Sequence, residues 1–165
     1  MHFKIEKVLS KPDWVAKLSA FIHDAIVLGP VEYDPLARRV VLNIRRIGYE
    51  HRQEQKFIFG LVKKWRIPYV PATLVIQDVE EISSNSIQIE EPFDADGIYE
   101  LALQSEASIL EISTTHGNAT LRISEISVIE LTDVGEPDKS YAIHAFNNLI
   151  IKPELIDEIV NRKVA

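Results

Sequence analysis

The chain has 165 residues, a net charge of −7, 46% apolar and 26% charged side chains, and no cysteine. This length fits one domain over 1–165 with a substantial core. The lack of cysteine excludes disulfides, thiolate metal ligands and cysteine nucleophiles, and the acidic balance argues against a general nucleic-acid binder.

Lys4, Glu6, Lys7 and Lys11 interrupt every apolar stretch at the N-terminus, leaving no uninterrupted core for a secretory signal. No apolar run approaches the roughly 18 residues of a membrane span, so a cytoplasmic protein is expected. The stretch "SKPDWVAKLSAFIH" then reads as a helix, with Ser10 as its cap, Pro12 in the first turn and Asp13 in the capping-box position. Trp14, Leu18 and Phe21 recur at helical spacing, and Val15 and Ile22 widen the stripe.

After the helix the pattern changes to period two. "RVVLNIRRI" sets Val40, Leu42 and Ile44 on one side against Val41, Asn43 and Arg45 on the other. Asp34-Pro35 starts a turn expected to close a hairpin from about 26–33 to 39–47. "KFIFGLV" (56–62) places Phe57, Phe59 and Leu61 on one side, at the spacing of a core-facing strand. Further strands are expected at 72–79, 86–90, 97–105 and 108–114, and "HGN" (116–118) supplies a tight turn into 119–124. The candidate loops are 48–55, 91–97 and 133–141. Helical spacing returns near the C-terminus, where Pro153 suits a first turn and Leu155, Ile156, Ile159 and Val160 form one face.

One internal echo is visible. "ATLVIQDVEEI" (72–82) and "ATLRISEISVI" (119–129) share Ala-Thr-Leu-x-Ile, and in each the alternation slips by one just past an acid, Asp78 or Glu125. A matched slip predicts a bulge or bend used twice, as where strands turn a corner.

Charge is unevenly spread. From Arg38 to Arg66 nine Lys/Arg face only Glu50 and Glu54, whereas residues 67–165 carry five Lys/Arg against eighteen acids. Such asymmetry predicts basic strands pairing with acidic neighbours across a sheet. Where the pairing fails, Arg38, Arg39, Arg45, Arg46, Arg52, Lys63 and Lys64 form a candidate binding surface, with Tyr49, Phe57, Phe59 and Trp65 offering aromatic area. Core packing is the expected role of the phenylalanines, so nucleic acid is not the expected partner.

His23-Asp24 is a candidate polar site. Neighbours on a strand point to opposite faces, which predicts that the two side chains do not meet and that the pair is a helix–strand joint. The acids Glu90, Glu91, Asp94 and Asp96 form the densest carboxylate group, expected in a solvated loop. The histidines at 2, 23, 51, 116 and 144 lack zinc-site spacings, and the glycines form neither a phosphate loop nor a serine-hydrolase elbow. No catalytic residue, metal site or cofactor is assigned.

The order "FIHDAIVLGPVEYDPLARRVVLNIRRIGYE", "KFIFGLVKKW" and "TLRISEISVIELTDVGEP", over roughly residues 18 to 137, resembles a family of small bacterial proteins catalogued only as a domain of unknown function. Tyr49 stands where that family's pattern has a tryptophan. More loosely, "F-x-HDA" is similar to β-rich bacterial immunity-like proteins that neutralise toxins. Neither likeness implies catalytic residues or a substrate.

The fold expected is mainly β: an antiparallel β-sandwich or incomplete barrel, with an N-terminal helix and a C-terminal capping helix. The function expected is a non-enzymatic binding or protein-interaction module that contacts itself or another protein. The alternatives are an enzyme using His23/Asp24 or the acidic loop, and an immunity-type inhibitor whose acidic surface meets a basic toxin.

Overall fold

In the computed structural model, residues 1–87 and 96–165 are described. Their elements in chain order are β1 (His2–Glu6), α1 (Pro12–Ile22), β2 (Ile26–Val27), β3 (Glu32–Asp34), β4 (Arg39–Ile47), β5 (Gln53–Phe57), β6 (Val62–Asn85), β7 (Asp96–Gln104), β8 (Ile109–Thr114), β9 (Asn118–Asp133), β10 (Ala142–Phe146) and α2 (Pro153–Asn161). Every pairing between these strands is antiparallel.

Alternation decides the facing of each strand. On β4, Val40, Leu42 and Ile44 are fully buried, while Arg39, Asn43 and Arg45 face water. The hairpin expected around Asp34-Pro35 forms, with Asp34 opposite Arg39. Asp34 Oδ1 accepts the amides of Leu36 and Ala37, both at 3.0 Å, closing the turn with its own side chain.

The sheet is neither a sandwich nor an open barrel. Pairings run β9–β8–β7–β2–β4–β6 and return from β6 to β9, closing a six-stranded barrel. The corner that permits closure is the slip common to the two echoed segments, and those segments turn out to be partners. Leu74 lies opposite Leu131 and Ile76 opposite Ile129; past the bend, Val79 lies opposite Ile123 and Ile82 opposite Leu121. Asp78 takes φ +57° at the bend, and the buried Ser127 hydroxyl donates to its carbonyl at 2.8 Å. Both strands therefore bend at one pinned joint, and the bulge turns a flat ladder into a closed wall. Phe3, Leu42, Leu74, Leu110, Leu121 and Leu131 are among the side chains that fill the interior, all with no exposed surface.

β6 is longer than the barrel needs. Residues 69–77 pair with β4 and 72–85 with β9, but 62–66 pair with β5 and 64–68 with β10. Its first third thus leaves the barrel as the central strand of a three-stranded arm. Pro68 and Pro71 fall where β6 passes from one set of partners to the next, the position in a long strand at which a missing N–H is cheapest. The prolines hide this strand from a sequence reading, which starts it at residue 72. β1 and β10 are also absent from that reading, and of the strand expected at 86–90 only Ser86 and Ile87 are described, outside any strand.

Val15, Leu18, Phe21 and Ile22 bury one face of α1, and Trp14 leans on Phe3 with ring centroids 5.9 Å apart. Ser10 does not cap this helix. It ends a single 3-10 turn, Val8–Ser10, and its hydroxyl donates back to the Lys7 carbonyl at 2.8 Å, so Lys11 takes the cap position. α2 follows Pro153 as expected and buries Ile156 and Ile159. Beyond it Ala165 bonds β1 through its amide to the Lys4 carbonyl at 2.7 Å.

Candidate functional site

The seven basic residues do not converge. Arg46 lies on the inward face of β4 with Val40, Leu42 and Ile44, and it is fully buried. Its guanidinium grips Asp133 twice, Nε to Oδ1 and Nη2 to Oδ2, both at 2.8 Å. Nη1 donates to Glu50 Oε2 at 3.1 Å and to the Ile47 carbonyl at 3.2 Å, and Nη2 also reaches Glu50 Oε1. All five N–H donors are thereby used. The ring of Phe21 lies 5.3 Å from the guanidinium carbon, and the Met1 amine is 2.8 Å from Asp133 Oδ2.

Burial pulls Arg46 toward its neutral form, but the hydrogen bonds and charges of Glu50 and Asp133 hold its pKa above the ordinary value. For Asp133 burial pushes upward, and Arg46 with the Met1 amine overrides it, so this carboxyl titrates below the usual range. Arg46 is therefore a structural cation at the base of the arm and offers nothing to an external anion. Strand parity marked it: position 46 shares the register of the buried even-numbered residues of β4.

The other six are scattered. Arg39 and Arg45 lie six residues apart on β4, roughly 20 Å at strand rise. Arg38 precedes β4, with its carbonyl accepting from Val79. Arg52 donates to the Tyr49 carbonyl at 3.0 Å and lies over Trp65. Lys63 and Lys64 belong to the arm, where Lys63 and Lys56 share Glu54 at 3.9 and 3.8 Å, and Lys64 sits over Phe146. Among the described residues, Arg46 is the one cation of this segment that pairs with an acid from outside it, so the general cross-sheet neutralisation expected from sequence does not occur.

His23 and Asp24 do meet, against expectation: Nδ1 lies 3.1 Å from Oδ2. Neither residue is in a strand. His23 ends α1, and Asp24 takes φ +65°, which swings its side chain back to its neighbour. The Asp24 amide donates to the Ile98 carbonyl at 2.9 Å, so the pair sits at the seam between α1 and β7. Its ring packs on Tyr99, with centroids 5.4 Å apart, and among the described residues no hydroxyl is hydrogen-bonded to His23.

Of the acidic group, Glu90, Glu91 and Asp94 lie outside the described residues. Asp96 is buried rather than solvated. It accepts the hydroxyls of Thr114 and Thr115 at 2.7 and 2.8 Å and the amide of His116 at 3.1 Å. Burial opposes its ionisation, but these donors outweigh burial and keep its pKa below the usual carboxylate range. Asp96 thus fastens the β8–β9 turn.

The aromatic residues divide in a way the sequence did not reveal. Tyr49 is fully buried against Phe21, and its hydroxyl has no partner among the described residues; burial first, and then the nearby Asp24 charge, raise its pKa. Phe57, Ile58, Phe59 and Leu61 are instead at the tip of the arm. Ile58 is 65% and Leu61 79% exposed, Phe57 is 46% exposed, and Phe59 is fully exposed. The expected core strand ends at Phe57, and a turn occupies 58–61.

Gly60 N–H donates to the Phe57 carbonyl at 3.2 Å, with Ile58 at φ +53° and Phe59 at φ +54° between them. Positive φ at both central positions belongs to the type I′ turn, which Asn-Gly fills without strain. A β-branched residue there is an outlier, costing of order 1–2 kcal/mol.

The concave features are shallow by comparison. One is a groove of about 700 Å³ between α1 and β7, lined by Val15, Ala16, Ala20, Leu101 and Leu103, with Asp13, Ser19 and Glu100 among its other lining residues. Comparison with protein-family models, with curated proteins and with solved structures finds no match for the chain.

Proposed function

We propose that this protein is a non-enzymatic interaction module whose contact surface is the tip of the β5–β6–β10 arm. One observation carries the reading: four large apolar side chains stand in water on a turn whose backbone two of them strain. Covering each Phe, Ile or Leu is worth about 1.5–3 kcal/mol, so a partner that buries the tip recovers several kcal/mol that the isolated chain forgoes. Interface cores are enriched in aromatic residues inside a polar rim, and here Phe57 and Phe59 stand with Lys56, Lys63 and Lys64 around them.

The test separates contact from folding. Ile58→Asn with Phe59→Gly installs the favoured turn pair and should raise the melting temperature by a few degrees, because about 1–2 kcal/mol of strain is relieved. The wild-type chain is expected to form intermolecular cross-links in its native cell extract, and the same variant should lose them. A lower melting temperature would make the tip part of the folding core, and an unchanged cross-linking pattern would move the contact surface elsewhere.

A further inference from the structure

The partner that the tip fits can be read from the same chain. Residues 53–66 carry Lys56, Lys63, Lys64 and Arg66 against Glu54, a net +3, so the rest of the molecule carries −10. The arm is an apolar point on a basic shaft, attached to an acidic body.

The groove between α1 and β7 is its complement. Asp13 and Glu100 line it, no lysine or arginine does, and its other lining residues are mostly apolar. The nearest lysine on the helix, Lys17, turns to the other flank, where it bonds Glu158 at 2.5 Å and lies over Trp14. A space of about 700 Å³ is in the range that admits two aromatic rings.

The groove also has an unfinished edge. β7 pairs with β8 along its length, but with β2 only at Asp96 and Gly97. Past Ile98, the outward amide of Leu101 is held only by the Ser19 hydroxyl, at 2.8 Å.

We infer that the arm tip of one molecule docks in the α1–β7 groove of a second copy of this chain. The inference rests on the arm being the contact surface, and it names the partner. Tip and groove are different patches, so the contact is heterologous and repeats into a ring or a filament instead of stopping at a two-fold dimer. Opposite charges steer the encounter, so assembly weakens as salt is added.

Sedimentation velocity of the full chain, from about 1 µM to about 1 mM, covers the range of small interfaces. The wild type is expected to grow beyond dimers at the upper end. Phe59→Asp, on a fully exposed residue, should weaken assembly about thirtyfold or more, the size of a hot-spot loss. Asp13→Lys with Glu100→Lys, also on exposed residues, should do the same from the groove side.

An equimolar mixture of these two variants retains one intact tip and one intact groove, and should form a two-chain species that grows no further. Because the chain has no cysteine, Leu61→Cys mixed with Ala20→Cys should cross-link across the contact, with neither doing so alone. A wild type that stays monomeric throughout, or a mixture that gives no two-chain species, overturns the self-docking inference. If that monomer binds phosphatidylcholine–phosphatidylglycerol vesicles through Phe59, the arm stands as the contact surface and its partner is a membrane. If it binds neither itself nor vesicles and the Asn-Gly turn variant keeps its cross-links, the reading of the arm fails as well.

Discussion

Replacing Arg46 by Met removes a cation that holds two carboxylates at the base of the arm. Asp133 and Glu50 are only 10% and 15% exposed, so both are left charged with little water to replace the lost partner. Removing one member of a buried ion pair costs about 3–5 kcal/mol, because the remaining charge is uncompensated. For a chain of this size that corresponds to a fall in melting temperature of about 10 °C or more.

The pH dependence identifies the cause. In the wild type Asp133 titrates below its unfolded value, so its contribution is complete above about pH 4 and disappears as pH falls through the folded pKa. In Arg46→Met, burial becomes the dominant influence on Asp133, with the Met1 amine alone opposing it, and its folded pKa moves upward. Asp133 then accepts its proton at a higher pH than in the wild type, and the deficit relative to wild type shrinks as pH drops from about 7 to about 4.5.

Urea unfolding at those two pH values measures it. Adding Asp133→Asn and Glu50→Gln to Arg46→Met should restore most of the loss at neutral pH. A deficit under about 1 kcal/mol, or one equal at both pH values, would refute the assignment of this cluster as a charge-balanced clamp, since a cavity alone has no such pH dependence.

Asp96→Ala strips the β8–β9 turn of an acceptor for two hydroxyls and an amide, and should destabilise by about 2–3 kcal/mol at neutral pH in urea unfolding. Since the Asp96 pKa is lowered, that difference should fade as pH drops below about 4. Gly117→Ala places a Cβ 2.4 Å from the Ser86 carbonyl oxygen, a backbone atom that cannot step aside, and should cost about 1–3 kcal/mol by thermal unfolding. His23→Ala gives up contact with Tyr99 and Asp24 at a half-exposed joint, and should cost under about 1 kcal/mol while leaving self-association in sedimentation unchanged. Loss of assembly in a folded His23→Ala chain would show that the joint takes part in binding.

Local chemistry was legible where the turn residues and the alternation agree. Asp34-Pro35 and the strands around it are an example, as is the Thr114–Gly117 turn, where the Thr114 amide bonds the Gly117 carbonyl at 2.7 Å. Closure was not legible, because it depends on β6 meeting β9 across separations of 34 to 61 residues, and each local window fits an open sheet equally well. The echoed segments carried the information for the bend, yet nothing local shows that the two bends are opposite each other. Arg46 was misplaced because a charged letter outweighed strand parity; its partners Glu50 and Asp133 are what make the inward position tolerable. His23 and Asp24 lie at a helix–strand joint, but their side chains meet because a positive φ at Asp24 replaces the strand geometry that alternation assumes.

Three features among the described residues illustrate how the cost of breaking a folding rule is met. Arg46 is a buried charge, but five donors find five acceptors within the molecule, so its cost is balanced internally. The Tyr49 hydroxyl is buried without a partner among the described residues, a loss of about 1–3 kcal/mol that its ring offsets by filling the core beside Phe21. Ile58 and Phe59 have no such offset. They strain the turn, face water and hold nothing in place, and "FIFGL" carries no Asn or Asp where the backbone reverses. Sequences are locally consistent with their folds except where another demand overrides folding. For the clamp and the tyrosine that demand is the packing of this barrel; for the tip no contact among the described residues supplies it, which is the ground on which we propose a contact outside the molecule.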